Sequence, residues 1–195
     1  MTNTPRDSEA TGPAVVEFYR DFEPPATFKQ NVEVLLRYVP PKYLVGLRTI
    51  VLTNRTALTR DKRKQKTWSR NRKVRLAESL GSYSREWKSS PATVSLYVDN
   101  IIAGWGKWWK WAPILRYMVT ADVLYHEIGH HIHTEHRPIY EGRENVAEDW
   151  SKELWANFFR RHYWYVFPFL YVLAHLISPL VEWRKKKKRS AGISA

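Results

Sequence analysis

The stretch VLYHEIGHHIHTEH, residues 123–136, concentrates side chains that can hold a metal ion. His126 and His130 are four residues apart, so on a helix they lie on one face and can bind one Zn²⁺ through imidazole nitrogens. Glu127 lies beside them and can take a proton from a zinc-bound water as a general base. The spacing HExxH therefore predicts a zinc site, provided that the chain supplies a third ligand.

One alternative for the third ligand is His136. The segment HEIGHHIHTEH has the spacing HExxHxxxxxH, which fits the three histidines of the metzincin pattern. That pattern needs glycine where this chain has His133, because the chain must turn sharply out of the helix there. It also needs a methionine downstream, whereas the only methionines are Met1 and Met118. His136 therefore ranks second.

The other alternative is Glu144, which begins the stretch ENVAEDWSKELWANFF. Positions spaced i, i+3, i+4 and i+7 form one helix face there: Glu144, Ala147, Glu148, Ser151, Leu154, Trp155 and Phe158. Two carboxylates on an otherwise small and apolar face need partners, because an unpaired buried charge is costly. A zinc ion would satisfy Glu144, and the N–H of a zinc-bound histidine would satisfy Glu148.

HEIGH followed by ENVAE resembles the gluzincin pattern HExxH…ExxAD of small zinc metallopeptidases, over about residues 93–159. The resemblance implies an α+β, zincin-like fold, in which a small sheet with an edge strand packs on the HExxH helix and a Glu-bearing helix follows. It also implies Glu127 as the catalytic base and Glu148, in place of the usual Asp, as an orienting acid. The implied zinc ligands are His126, His130 and Glu144.

The activity implied by this resemblance is zinc-dependent hydrolysis of a peptide or protein substrate, with Glu127 as the general base. Residues 93–100 resemble the edge strand of gluzincin clefts, whose free backbone groups pair with an extended substrate. The alternative, from another class, is a non-catalytic zinc-stabilised binding module that acts on membrane lipid or nucleic acid through basic patches. Only hydrolysis needs a base beside the metal, so Glu127 distinguishes the two.

Hydrophobic periodicity predicts the elements that would position these residues. Helices are expected at residues 27–39, with Thr27 as the cap, and at 114–133 and 144–161; strands are expected at 43–53, 76–84 and 93–100. The predicted organisation is a disordered lead at 1–13, a metallopeptidase domain at 14–161 and an apolar segment with a basic tail at 162–195. A basic insertion at 60–75 is expected to form a loop or mobile arm.

The composition excludes several classes of protein. With 195 residues and 44% hydrophobic residues, the chain can bury the core of one domain and is not intrinsically disordered. It contains no cysteine, so disulfides and thiolate zinc sites are excluded. No apolar leader follows Met1, which favours the cytoplasm.

The net charge of +13 is concentrated in residues 60–75 and 184–189, and the remainder is close to neutral. The apolar stretch 164–181 has basic residues on both sides. This arrangement favours a segment that lies on the inner face of an anionic membrane over a segment that spans the membrane. Burial of the segment against the domain is the third option. The predicted partner of residues 164–189 is therefore an anionic membrane surface. Nucleic acid, which residues 60–75 would contact, is the less favoured partner. The tryptophan-rich stretch 104–113 would pack on the active-site helix or anchor at the same surface.

Overall fold

The computed structural model describes residues 12–69, 72–87, 90–104, 113–136 and 143–165 of the 195. Within them the chain is a mixed α+β protein with a small sheet. It divides into two compact units, Met1–Asn157 and Phe158–Ala195, of which the second is described only as far as residue 165. The sheet, the predicted metal ligands and the helices that pack on the sheet belong to the first unit.

Six strands are described, and four of them form the main sheet. The strands are β1 (Ala14–Phe18), β2 (Leu47–Thr53), β3 (Lys66–Ser69), β4 (Arg72–Arg75), β5 (Gly81–Ser84) and β6 (Ala92–Tyr97). The main sheet has the order β1-β2-β6-β5, with β1, β2 and β6 parallel and β5 antiparallel to β6. The strands β3 and β4 pair antiparallel as a separate two-stranded ribbon.

Five α-helices lie within the described residues. They are α1 (Phe28–Leu36), α2 (Arg60–Lys64), α3 (Val98–Ala103), α4 (Pro113–His136) and α5 (Arg143–His162). Short 3₁₀ turns lie at Pro41–Tyr43, Arg55–Ala57 and Leu76–Glu78. Helix α1 packs on β1 and α4, and α4 packs on β5 and β6.

The core lies between the sheet and these two helices. Ile50 and Leu52 of β2 pair with Val94 and Leu96 of β6, and all four side chains are fully buried. Helices α1 and α4 contribute the buried residues Phe28, Val32, Leu35, Leu124, Ile128 and Ile132. Each such side chain stabilises the fold by roughly 1.5–3 kcal/mol relative to an exposed one. The alternation of buried and half-buried residues along β2 and β6 thus assigns one sheet face to the helices.

The three helices expected from periodicity are present, with ends that differ by a few residues. Helix α4 begins at Pro113, where a proline costs no backbone hydrogen bond, and continues to His136. Thr27 occupies the cap position of α1, but its side chain makes no capping hydrogen bond. Its hydroxyl instead lies 3.4 Å from a guanidinium nitrogen of Arg116 in α4.

Two expectations about local structure are corrected. Residues 60–75, expected to be a loop or mobile arm, form α2 and the ribbon of β3 and β4 in their described part. Residues 93–100, expected to be an edge strand, form the interior strand β6 and the start of α3, because β6 pairs with β2 on one side and β5 on the other. The edge strand that packs on α4 is β5.

Several expectations fall outside the described residues. These are the disordered lead up to residue 11, the tryptophan-rich residues 105–112, and residues 166–195 with the membrane-inclined segment and basic tail. Among the helices that are described, none is both long and apolar enough to cross a membrane.

Candidate metal centre

Helices α4 and α5 bring together the three residues predicted to bind zinc. The Nε2 atom of His126 lies 3.4 Å from one carboxylate oxygen of Glu144, and Nε2 of His130 lies 3.6 Å from the other. One potential ligand atom from each of the three residues lies within 4.8 Å of the others. The two imidazoles are edge to face, with ring centroids 4.8 Å apart. This group can hold a metal ion.

The spacing of these atoms fits a small divalent cation. Nitrogen and oxygen ligands bound tetrahedrally at 2.0–2.2 Å lie about 3.3–3.6 Å apart. The distances from the two imidazoles, 3.4 and 3.6 Å, are close to this separation but end on different oxygens of Glu144. The three ligand atoms lie within 4.8 Å of one another, so a bound ion would draw the side chains slightly closer together. The donor set of two imidazoles and one carboxylate also suits zinc, although it does not by itself specify zinc over other divalent metals.

Burial adds an electrostatic reason for a cation here. The side chains of His126 and Glu144 are 8% and 17% exposed, and Glu127 as a whole is 7% exposed. Two carboxylates withdrawn from water are costly to keep charged unless a positive charge compensates them. A divalent cation among the three side chains would supply that charge.

A close crossing of α4 and α5 makes the group possible. A Cβ atom built on Gly129 would lie 2.5 Å from the carbonyl oxygen of Ala147 and 2.9 Å from its Cα. Real Cβ atoms do not approach backbone this closely, so the helices can cross at this distance only because position 129 is glycine. Ala147 is one turn beyond Glu144 and Gly129 lies between the two histidines, so this contact sets the distance across the site.

Glu127 lies against the edge strand β5. A Cβ atom on Gly81 would come within 2.8 Å of both Cγ and Oε1 of Glu127. Tyr97, at the end of β6, has its pKa raised mainly by burial, while a hydrogen bond with Ser82 lowers it and the nearby charge of Glu127 raises it. Gly81 and Tyr97 thus lie close to Glu127 and restrict the positions that its carboxylate can take.

His131 of α4 links this helix to Val45 and to Tyr83 of β5 through hydrogen bonds, and it is not part of the candidate metal group. Its Nε2 atom lies 2.9 Å from the carbonyl oxygen of Val45, and its Nδ1 atom lies 3.2 Å from the hydroxyl of Tyr83. A carbonyl can only accept, so Nε2 donates, and Nδ1 then accepts the proton of Tyr83. Burial, with a smaller contribution from Glu135, raises the pKa of Tyr83 to about 12, which keeps that hydroxyl a donor.

Glu148 does not lie where the resemblance would place it. Its side chain is 55% exposed and pairs at 3.5 Å with Lys152, one turn further along α5. The buried face of α5 includes Ala147, Ser151 and Leu154 but leaves Glu148 outside. The role predicted for Glu148 as partner of a zinc-bound histidine has no support in this arrangement.

His136 is the last residue of α4, and the position of its side chain lies outside what the structure describes. The helix continues through His133 without the sharp turn that the metzincin pattern requires. Six further residues of helix place the backbone of residue 136 about 9 Å along the axis from His130. The backbone path therefore favours Glu144 as the third ligand.

A cavity of about 630 Å³ in the first unit lies away from this group. It is lined by the start of β1, by α1 and by the turn before β2, and its lining does not include the three candidate metal ligands. The cavity is therefore distinct from the candidate metal centre.

Sequence reasoning did not identify the residues that space the site, Gly81, Gly129 and Ala147, or the link from His131 to Tyr83. A signal existed for Gly81, since glycine inside a strand often marks a close approach of another group. Gly129 carried a similar signal, because glycine within a helix costs about 1 kcal/mol relative to alanine and so needs a packing reason.

Comparison of the chain with protein-family models, with curated proteins and with solved structures found no match. The interpretation of the metal centre therefore rests on its own residues and their geometry.

Proposed function

We propose that this protein is a zinc-dependent peptidase of gluzincin type with a zincin-like fold. The observation that carries the proposal is the group of His126, His130 and Glu144, drawn from two crossing helices, with Glu127 held beside it. Three protein ligands leave the fourth position of a tetrahedral metal open, as in catalytic zinc sites, whereas structural sites use four.

The proposed chemistry divides between the metal and Glu127. Zinc, when bound, lowers the pKa of a coordinated water and polarises the carbonyl of the scissile peptide bond. Glu127 accepts the proton of the attacking water and then transfers it to the nitrogen of the departing amine. Its contact with Gly81 restricts the directions in which the carboxylate can move, so that it stays positioned for both transfers.

The edge of β5 is the proposed binding surface for the substrate backbone. One edge of β5 pairs with β6, and no described strand pairs with the other. An extended peptide can add to such an edge through main-chain hydrogen bonds, with alternate side chains facing the enzyme. Because Gly81 of this strand touches Glu127, a peptide added here would pass close to the catalytic base.

The test compares three variants with the wild-type protein for metal content and for hydrolysis of a fluorogenic peptide library. We expect about one zinc per wild-type chain and a large loss of zinc in Glu144→Ala. Glu127→Gln should keep its zinc and lose hydrolysis by about a hundredfold or more, because only the proton acceptor is removed. Glu148→Gln is the matched control, since it removes an exposed carboxylate of the same helix, and it should keep both properties.

Full hydrolysis by Glu127→Gln would contradict the assignment of the base. Zinc bound at full affinity by Glu144→Ala would contradict the ligand set. Stoichiometric zinc without hydrolysis of any peptide in the library would instead support the non-catalytic, zinc-stabilised binding module.

A further inference from the structure

The ribbon of β3 and β4, called here the basic ribbon, places its charges in a defined array. The register pairs Lys66 with Arg75 and residue 68 with Lys73. In an antiparallel pair, directly opposed residues lie on the same side, and so do residues two apart along a strand. Lys66, Lys73 and Arg75 therefore share one face, and all three are exposed.

The opposite face of the ribbon differs in character. Thr67 pairs with Val74, and both residues are half-buried. The ribbon therefore has an outer face of exposed cations and an inner face that is half-buried at Thr67 and Val74 and carries one exposed cation, Arg72. This is not the pattern of a uniformly solvated charged loop.

The outer cations lack partners within the described part of the chain. None of Lys66, Lys73 and Arg75 forms an ion pair there; the exposed pairs that do occur use other residues, such as Arg55 with Asp99 and Lys152 with Glu148. Lys66 and Arg75 stand directly opposite each other, an arrangement that like charges disfavour. An anion bound across the ribbon would relieve this repulsion.

Helix α2 adds further exposed cations next to the ribbon. The amide of Leu76 donates to the carbonyl of Gln65 at 2.8 Å, so the ladder of the ribbon reaches the last turn of α2. The guanidinium of Arg63 donates hydrogen bonds to the carbonyls of Thr56 and Leu58. The remaining cations of the helix are exposed: Arg60, Lys62 and Lys64.

We propose that the basic ribbon binds double-stranded DNA at its major groove, with its cations neutralising the phosphates there. Two strands about 4.8 Å apart, with their side chains, match the major groove of B-form DNA, which is about 12 Å wide and admits a two-stranded β-ribbon. The narrow major groove of an RNA duplex does not admit such an element. A membrane-surface segment needs a continuous apolar face, whereas the outer face of the ribbon has a single apolar position, residue 68, among its cations. The proposal is independent of the metal centre.

The experiment measures binding of the full-length, metal-loaded protein to a short fluorescent DNA duplex by anisotropy, across about 50–200 mM salt. The ribbon variant is Lys66→Gln/Lys73→Gln/Arg75→Gln. The matched control, Arg37→Gln/Lys42→Gln/Arg48→Gln, removes the same charge from three other exposed positions. Both variants keep residues 184–189, so attraction of DNA to that block cancels in the comparison.

We expect the ribbon variant to bind at least about tenfold more weakly, with the slope of log affinity against log salt reduced by about 3, since each lost phosphate contact removes about 0.9. The control should stay within about threefold of wild type. The single variant Lys66→Gln should reduce the slope by about 1 and melt no lower than wild type, because it removes a like-charge pair. This gives a second test if the triple variant fails to fold.

Equal weakening in the ribbon and control variants, or no binding of DNA by wild type, would overturn the proposal. Two further probes compete with the DNA: vesicles of phosphatidylserine and phosphatidylcholine in equal parts, and an RNA duplex of the same length. Ribbon-dependent binding that prefers the vesicles would make the surface a membrane contact. A preference for the RNA duplex would likewise overturn the choice of DNA.

Discussion

Gly129 of α4 and Ala147 of α5 meet backbone to backbone at the point where the two helices cross. A side chain as small as a methyl group on residue 129 would lie 2.5 Å from the carbonyl oxygen of Ala147. The histidines flank this contact on α4, and Glu144 lies one turn before it on α5. The separation of the helices here thus controls whether three side chains can reach one metal ion.

Replacing Gly129 with alanine should therefore weaken metal binding. The helices would have to move apart, and Glu144 would retreat from both imidazoles. We expect zinc affinity to fall about tenfold or more, as it does when groups that orient metal ligands are disturbed. Overpacking costs about 1–3 kcal/mol, partly offset by the better helix propensity of alanine, which contributes about 1 kcal/mol. Competition with a chromogenic chelator measures the affinity, and thermal unfolding measures the stability.

Gly104→Ala is the control for this change. Gly104 follows the last residue of α3 with a right-handed helical backbone, and among the described residues a Cβ atom there would approach no atom closer than 3.7 Å. This variant should bind zinc like the wild type. Unchanged affinity in Gly129→Ala would mean that the crossing does not set the geometry of the site.

Local sequence patterns predicted the two helices that carry the candidate metal ligands, but not the close contacts between elements. The i, i+4 spacing of His126 and His130 depends only on helix geometry, and no proline interrupts the chain from residue 114 to 136. The contact of Gly129 with Ala147 depends on how two helices cross, and the periodicity of a single helix carries no information about that crossing. Glu148 fits the i, i+3, i+4 spacing of the predicted buried face of α5, yet its side chain is exposed. The buried stripe of the helix is narrower than the set of positions that this spacing selects.

In the sheet, too, local patterns predicted an element but not its neighbours. Alternation in β6 identified a strand, but an interior and an edge strand have similar alternation when one sheet face is exposed. The place of β6 depends on its pairing with β2, some forty residues earlier in the chain. In the basic ribbon, lysine and arginine occupy both faces and conceal the alternation, so the sequence read as a loop.

Replacing Gly81 with alanine should impair hydrolysis without removing the metal, if the proposed function holds. The new methyl group would meet Cγ and Oε1 of Glu127 at 2.8 Å and displace the carboxylate. A displacement of about 1 Å at a catalytic group can cost on the order of a hundredfold in rate. Peptide hydrolysis and zinc content, measured on the same preparation, separate this effect from loss of the site.

Gly104→Ala is again the matched control, because it adds the same methyl group outside β5, where the described atoms nearest to a Cβ atom are 3.7 Å away. It should retain both activity and zinc. Full activity in Gly81→Ala would show that the carboxylate adjusts without loss, and loss of zinc in that variant would show that β5 also supports the metal ligands.

Tyr83 should make stability depend on pH in the alkaline range. Its hydroxyl donates to Nδ1 of His131 at 3.2 Å, and burial is the main reason that its pKa is raised to about 12. The phenol has a pKa of about 10 in the unfolded chain, so the folded state holds this proton more tightly. The resulting stabilisation is complete below pH 10 and is lost as the pH rises from about 10 to 12.

The variant Tyr83→Phe removes both the hydrogen bond and this pH dependence. At pH 8 we expect its free energy of unfolding to be lower than that of wild type by about 1 kcal/mol, the net contribution of one hydrogen bond. Between pH 10 and 12 the wild type loses stability that the variant never had, so the difference should shrink. Urea unfolding at several pH values measures it, with Tyr165→Phe as the control for removing an exposed phenol. A difference that grows with pH would contradict the raised pKa, and no difference at pH 8 would mean that the link to His131 does not stabilise α4.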